Sequence, residues 1–280
     1  MMAPSYKSLA TAVLPVLLVA IFGCTELPDE PVYDNPLDPD NPDSEYVPPE
    51  TDIRTGPTEG AEVNDHTVTF TWGGNELVEE YRYRLTGDWS AWSGDSSHTF
   101  IYLDEGDYLF EVQGRYATAA EDTTPATRNF EIDDIQGPAL WFSPRLVEAP
   151  AGNEFTVDLL IEDVPDIVAL LAQVEFDPGQ LELVGYQLHD QAGDFLTQHN
   201  GNVIALVDSA FTQGSVSFNL AVTGGDQLGV KGSGTLLTLT FQRTTSSGTQ
   251  VDLGSSSRMV SIDLANIIFT ELAPAVVAAP

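Results

Sequence analysis

The chain has 280 residues, of which 43 are acidic and 10 basic, for a formal net charge of −33. That balance argues against a nucleic-acid partner, because phosphate binding needs clustered Lys and Arg, and against resting on anionic lipid headgroups through the protein surface. At 42% hydrophobic the chain can bury cores, and its length suggests two domains. Lys7 and Lys231 are its only lysines, and strong acidity with so little lysine suits a saline medium, where screening removes self-repulsion.

In chain order, the first element is an apolar run from Leu9 to Gly23, preceded by Lys7 and ended by Cys24, the only cysteine. A positive start, a short hydrophobic core and a small residue before the cut are the layout of an export signal over residues 1–23. The run falls short of the roughly 20 apolar residues a spanning helix needs. A disulfide needs a second cysteine, and Thr25-Glu26-Leu27-Pro28-Asp29-Glu30 cannot bury a thiol in a core. The stretch Ile21-Phe22-Gly23-Cys24 resembles the lipobox of bacterial lipoproteins, with Phe22 bulkier than is usual there. The resemblance implies that Cys24 becomes the first mature residue and carries lipid. Thr25 in place of Asp then points to the outer membrane or cell surface. An ordinary cleaved signal and an uncleaved anchor are the alternatives. Acyl chains contribute about 0.8 kcal/mol per buried methylene, so two or more hold a protein firmly on a bilayer.

Residues 24–51 alternate prolines and acids. Proline removes backbone donors and fixes φ, and like charges extend the chain, so this stretch reads as a disordered, solvated tether. Asp34, Asp38, Asp40 and Asp43 raise the alternative of calcium binding. Prolines interrupt that series, and no glycine supplies the sharp turn of an acidic calcium loop. No cofactor is implied.

From 52 to 134 short segments alternate with period two: Val68-Thr-Phe70-Thr-Trp72, Tyr81-Arg-Tyr83-Arg-Leu85, and Asp107 to Gln113. Gly73-Gly74, Thr86-Gly87-Asp88 and Glu105-Gly106-Asp107 punctuate them as turns. Seven or so strands in about 80 residues predict a small β-sandwich. On Trp72, on Leu103-Asp-Glu-Gly106-Asp-Tyr108-Leu-Phe110-Glu-Val112, and on Trp89-Ser-Ala-Trp92-Ser, the segment resembles a fibronectin type III or immunoglobulin-like module. The resemblance implies a corner where the Tyr108 hydroxyl ties its strand to a connecting loop. Trp89 and Trp92 suit either strand-edge packing or a sugar-stacking platform.

From 138 to 272 the alternation resumes in Phe155–Ile161, Val216–Val222 and Leu237–Phe241. Breaks fall at Asp177-Pro178-Gly179, Asn200-Gly201, Gly224-Gly225 and Ser246-Ser247-Gly248, and about nine strands predict a jelly-roll sandwich. Residues 273–280 read as a tail. Asp177-Pro178 ends a strand, and Leu181 and Leu183 start the next facing inward. Asp177 and Glu182 thus read as turn-makers rather than catalysts. Four pieces resemble a cohesin domain, in order and at about the family's spacing: Ala151-Gly152 to Val157, Asp163-Val164-Pro165, Val174-Glu-Phe176-Asp177-Pro178 to Leu183, and Gly232 to Phe241. The whole chain is therefore expected to be all-β, with two sandwiches after a signal and a tether.

The cohesin resemblance implies a protein partner, an enzyme-borne dockerin that meets one flat sheet face including the strand before the Asp-Pro turn. The polar Asn-x-Asp contact positions of some cohesins fall here on Ala169 and Leu171. On the same strand Gln173 and Glu175 point away from Ala172, Val174 and Phe176, and with Ser217 and Asn219 they form the candidate partner-binding face. A plain solvated sheet face is the alternative. Polysaccharide binding is a second functional reading, although Phe176, Phe218 and Phe241 look inward and no planar platform is evident. A structural assembly role is a third. His66, His98, His189 and His199 are dispersed, and the chain has no phosphate loop, nucleophile elbow or His-x-x-x-His pair. The chain reads as a non-enzyme and, without a dockerin-like repeat or sorting motif at its carboxyl end, as a terminal receptor.

Overall fold

The computed structural model describes residues 45–208 and 213–279, together with residues 37, 39 and 40. Cys24 and Asp34, Asp38 and Asp43 lie outside the described residues. The first module has seven strands: β1 (Thr51–Thr55), β2 (Ala61–Val63), β3 (Val68–Gly74), β4 (Glu80–Leu85), β5 (Ser97–Phe100), β6 (Gly106–Arg115) and β7 (Ala126–Ile132). They form two sheets, ordered β1-β3-β5 and β2-β7-β6-β4. The alternating apolar residues meet between them. Phe70 stacks on Phe110 at 3.9 Å between ring centres, and Trp72, Val112, Phe130 and Ile132 complete a core at most 2% exposed. The Trp72 indole donates to the carbonyl of Asp95 (3.0 Å), and the Tyr108 hydroxyl donates to the carbonyl of Asp104 (3.0 Å).

The second module contains β8 (Ala139–Ser143), β9 (Leu146–Glu148), β10 (Glu154–Phe176), β11 (Leu181–Leu188), β12 (Asn202–Val207), β13 (Ser215–Thr223), β14 (Val230–Arg243), β15 (Thr249–Leu253), β16 (Arg258–Ser261), β17 (Asn266–Ile267), β18 (Glu271–Ala273) and β19 (Ala275–Ala278). These twelve segments exceed the nine anticipated because several short strands line the sheet margins. The residues expected to form a tail carry β19, an apolar Ala-Val-Val-Ala strand that pairs with both β15 and β9.

β10 organises this module. Its first half pairs with β14 and β8, and its second half with β13 on one side and β16 and β15 on the other. In the first half Val157, Leu159 and Ile161 are buried; in the second, Leu170, Ala172, Val174 and Phe176 are. The inward set changes from odd to even numbers. Asp163, with φ of 45°, and Pro165 make the bend, and the ladder shifts register on either side of Val164. Without that change the second half would turn its apolar residues to solvent. After β10, the Asp177 carboxylate accepts the Gly179 amide (2.8 Å) and the Gln180 side-chain amide (2.8 Å). These bonds hold its pKa below the usual carboxylate value. Leu181 and Leu183 then face the core.

A charged side chain sits inside this core. Arg243 is fully buried at the end of β14, and its guanidinium donates to the carbonyls of Ala149, Ala278 and Ser247. Period two predicts its inward direction after Leu239 and Phe241, and the carbonyls at the ends of β19 and of its neighbouring segments supply the acceptors. Replacing it orphans those acceptors and opens a void. Arg243→Ala is expected to lower unfolding free energy by more than about 3 kcal/mol in urea titration, and Arg243→Lys, whose compact ammonium lacks the planar spread of the guanidinium, to recover only part of that loss.

The modules meet through the loop that Tyr108 ties. Asp104 accepts the Arg145 amide (2.7 Å) and the Ser143 hydroxyl (3.1 Å), and Glu105 accepts the amides of Asp134 (2.9 Å) and Ile135 (2.8 Å). Arg145, almost buried, pairs with Asp134 at 2.7 Å. Ile135 packs with Ala139, Trp141 and Ala273. Residues 48–280 thus form one compact unit. Burial raises the pKa of Asp104 and of Glu105 against the hydrogen bonds that lower them. A carboxyl with a raised native pKa contributes stability that is complete below its unfolded value, near about 4, and is lost as pH rises through the native value. The thermal midpoint is therefore expected to rise as pH falls from 7 to about 5. Asp104→Asn with Glu105→Gln should flatten that profile in calorimetry, while Asp177, whose contribution is lost only at lower pH, leaves this window unaffected.

Candidate partner-binding face

The outer face of the second module is built from β16, the second half of β10, β13 and β12. Their antiparallel register aligns outward residues into rows that cross the strands. Val260, Ala169, Ala221 and Ile204 make one row; Arg258, Leu171, Asn219 and Leu206 make the next. These two rows line a shallow groove of about 210 Å³. Ile204 is 52% exposed and Leu206 69%, well above what a strand packed on a neighbour leaves open. Asn219 is exposed, and its side-chain amide reaches the Leu206 carbonyl at 3.4 Å.

The four residues singled out in the sequence all lie on this outer side, in different settings. Gln173 pairs with Ser217 in the third row, and Glu175 with Ser215 in the fourth. Gln173 is held by a neighbouring turn. Its carbonyl accepts the Gly254 amide (2.7 Å), its amide donates to the Ser257 hydroxyl (3.0 Å), and its side chain bonds Ser215 and Ser256. A side chain at Gly254 would place its first carbon 2.6 Å from a Glu175 carboxylate oxygen and 2.8 Å from the Gln173 side chain, so those side chains would have to shift to admit it. Gln173 thus anchors the turn that borders the face, whereas Asn219 stands in the groove and Ser217 between the two. The apolar rows themselves were missed. Ala169 and Leu171 drew notice only as departures, and Ile204 and Leu206 not at all, although Val203-Ile204-Ala205-Leu206-Val207 is apolar on both sides of its strand.

In the first module Trp89 and Trp92 take the edge-packing arrangement. Ser93 exchanges backbone hydrogen bonds with Tyr81 (2.7 and 2.9 Å), and Ser90 binds Tyr83, so the segment covers the edge of β4. Arg84 and Arg82 lie 4.6 and 5.0 Å from the Trp89 ring, and Arg82 and Arg115 lie 4.6 and 4.4 Å from that of Trp92. The guanidiniums interleave with the indoles as a cation–π stack, and Glu111, Glu121 and Glu80 pair with them in turn.

The histidines are not brought together. His189 shares a 3.0 Å hydrogen bond with Thr238, whose hydroxyl donates to Asp158, and His98 bonds Tyr83 in the first module. Among the described residues no group of three or more His, Cys, Asp or Glu side chains is placed to hold a metal ion.

The family model of the cohesin domain matches residues 142–268. The matched segment is a little under half of the chain. Its four sequence pieces fall on the start of β10, the bend of β10, the turn into β11, and β14. Similar solved structures include the cohesin module of a family 33 glycoside hydrolase from Clostridium perfringens, at 13% identity over 49% of this chain and 92% of that one, with a TM-score of 0.38. A type II cohesin domain from the cellulosome of Acetivibrio cellulolyticus matches at 15% identity over 50% and 92%, with a TM-score of 0.38. A chain of a type I cohesin–dockerin complex from Clostridium thermocellum matches at 17% identity over 51% and 94%, with a TM-score of 0.40. No curated protein matches the sequence. Cohesin domains as a family are non-catalytic binding modules.

Proposed function

We propose that this chain is a lipid-anchored surface receptor whose cohesin domain docks a dockerin-like module of a partner protein on the outer face of β16, β10, β13 and β12. The observation that supports this reading most is the pair of apolar rows. A sheet face turned only to water carries polar residues at its outward positions; this one carries Leu171, Ala221, Ile204, Leu206 and Val260. Cohesin domains bind dockerin partners. The chemistry of the face asks for a partner with an apolar strip, flanked by an acceptor or carboxylate for Arg258 and by donors for Glu175 and Asp208. With Ala169 and Leu171 in place of an Asn-x-Asp pair, affinity here rests on apolar burial more than on polar pairing.

The first module, 52–134, acts as a spacer. Its sheet order and the Tyr108 tie support a fibronectin type III or immunoglobulin-like assignment. The acidic segment 24–51 lifts the modules from the membrane, and lipid on Cys24 holds the chain at the outer membrane or cell surface. Protein is favoured over polysaccharide as the ligand because guanidiniums lie against the Trp89 and Trp92 rings, which compete with sugar stacking there.

Two experiments test the two ends of this proposal. Leu171→Glu is expected to weaken capture of a dockerin-bearing protein at least tenfold, about 1.4 kcal/mol. Glu182→Gln, on β11 away from the face, should leave it unchanged. Equal capture by wild type and Leu171→Glu would remove the face from the proposal. Cys24→Ser should shift the chain from the membrane to the soluble fraction and abolish labelling by a fatty-acid analogue, and unchanged labelling would refute the anchor.

A further inference from the structure

β12 is a margin of its sheet: among the described residues it pairs with β13 alone. The Asp208 amide donates to the carbonyl of Ser217 (3.0 Å). Antiparallel pairing alternates, so the even-numbered residues of β12 turn their backbone groups toward β13, and Val203, Ala205 and Val207 turn theirs to the open side. Natural margins of this kind are blunted by lysine, proline, inward charge or a bulge. β12 has none of these: its six residues are uncharged and its register with β13 is unbroken. In a chain of net charge −33, such a strand with two exposed apolar side chains is a surface left uncharged.

The sequence around it reads nearly the same in both directions: Asn202-Val203-Ile204-Ala205-Leu206-Val207-Asp208. We propose that β12 is a self-association site, through which a second copy of this chain pairs antiparallel about a twofold axis at Ala205. The register follows from the backbone. The outward groups of Ala205 meet their counterparts, and those of Val203 meet Val207 of the second copy, the closely bonded pairs of an antiparallel ladder. On the outer face Ile204 then lies against Leu206 of the second copy, an apolar cross-strand pair. On the inner side valine faces valine. At the ends Asn202 faces Asp208 of the second copy, so no carboxylate opposes another. The small side chain of Ala205 sits at the axis, where it opposes only its own counterpart. This is an isologous interface, which closes at two copies.

The result is one continuous sheet with the apolar groove of each copy on the same side. Two docking faces stand side by side, and a partner with two modules would gain effective concentration from the first contact. The pairing uses backbone groups that the docking face does not, and stands whether or not that face binds a dockerin-like module. A contact this short is weak by the standard of stable interfaces. Its strength rises with salt, because about 1 M shortens the screening length to about 3 Å and suppresses repulsion between two acidic chains.

The test is sedimentation of the full chain carrying Cys24→Ser, so that no acyl chain links copies, in nonionic detergent at low salt and at about 1 M NaCl. The expected result is a twofold mass at high salt. Ala205→Pro removes an outward N–H while leaving Ile204, Leu206 and the β13 ladder in place, and is expected to return the monomer mass. Ile204→Glu with Leu206→Glu sets carboxylates together across the axis and should do the same. A wild-type monomer at both salts would overturn the proposal. So would a dimer that persists in folded Ala205→Pro, since association would then run through the face and not the strand margin. Should Ala205→Pro fail to fold by circular dichroism, a dimer persisting in the glutamate pair variant overturns it equally.

Discussion

The second module depends on the bend at Asp163-Val164-Pro165. A strand can serve two sheets of one sandwich only if its inward side chains change parity where it crosses. The left-handed backbone at Asp163 and the register shifts around Val164 accomplish that change. Every feature of the outer face inherits its position from it. Leu171 and Ala169 point outward because Leu170 and Ala172 point inward, and the rows that β13, β12 and β16 complete are indexed on those two residues. The same bend sets β8 and β14 on the far side, which carry the joint with the first module and the buried Arg243. A proline after a left-handed residue is a local instruction, and its effect is to assign whole strands to faces.

Seven of the eight arginines show how an acidic chain uses its few cations. Arg82, Arg84 and Arg115 interleave with two indoles and pair with three glutamates. Arg128 donates to the Pro57 carbonyl (2.6 Å), Arg145 fixes the joint, and Arg243 holds carbonyls at one end of the sandwich. Arg243 in particular is placed where its planar, forked donors meet several fixed acceptors, a geometry a lysine does not reproduce. Arg258 differs, because it stands on the groove that the apolar rows define.

Much of this was legible in the sequence, since period-two alternation places side chains without reference to tertiary context. The inward Phe176, Phe218 and Phe241, the turn at Asp177-Pro178 and strands β3, β4 and β6 of the first module follow from local pattern, and the Tyr108 tie from the resemblance to a fibronectin type III or immunoglobulin-like module. What was missed needed register between distant strands. Leu171, Asn219 and Leu206 are separated by tens of residues, and only the pairing of β10, β13 and β12 makes them neighbours. Gln173 was read correctly as outward, but the turn at 254–257 that engages it comes from the far end of the chain. Arg243 shows the opposite limit. Alternation after Leu239 and Phe241 predicts that it faces inward, yet a charge at that position is ordinarily assigned to solvent, and the carbonyls that receive it lie far away in sequence.

Charge also decides where this molecule can be approached. Net repulsion acts over the whole surface, while short-range burial acts only where apolar atoms are exposed and no carboxylate must be desolvated. On the second module those conditions coincide along the two rows of the outer face and along the open side of β12. The first needs a partner that brings its own apolar strip and an acceptor for Arg258. The second needs only unpaired backbone groups and side chains of matching size, and the near-palindrome around Ala205 supplies both from an identical chain. Because the two share Ile204 and Leu206 on the face but not the backbone groups at the margin, occupation of one leaves the other open. The contacts of Asp104, Glu105 and Arg145 join the module that carries both surfaces to the first one.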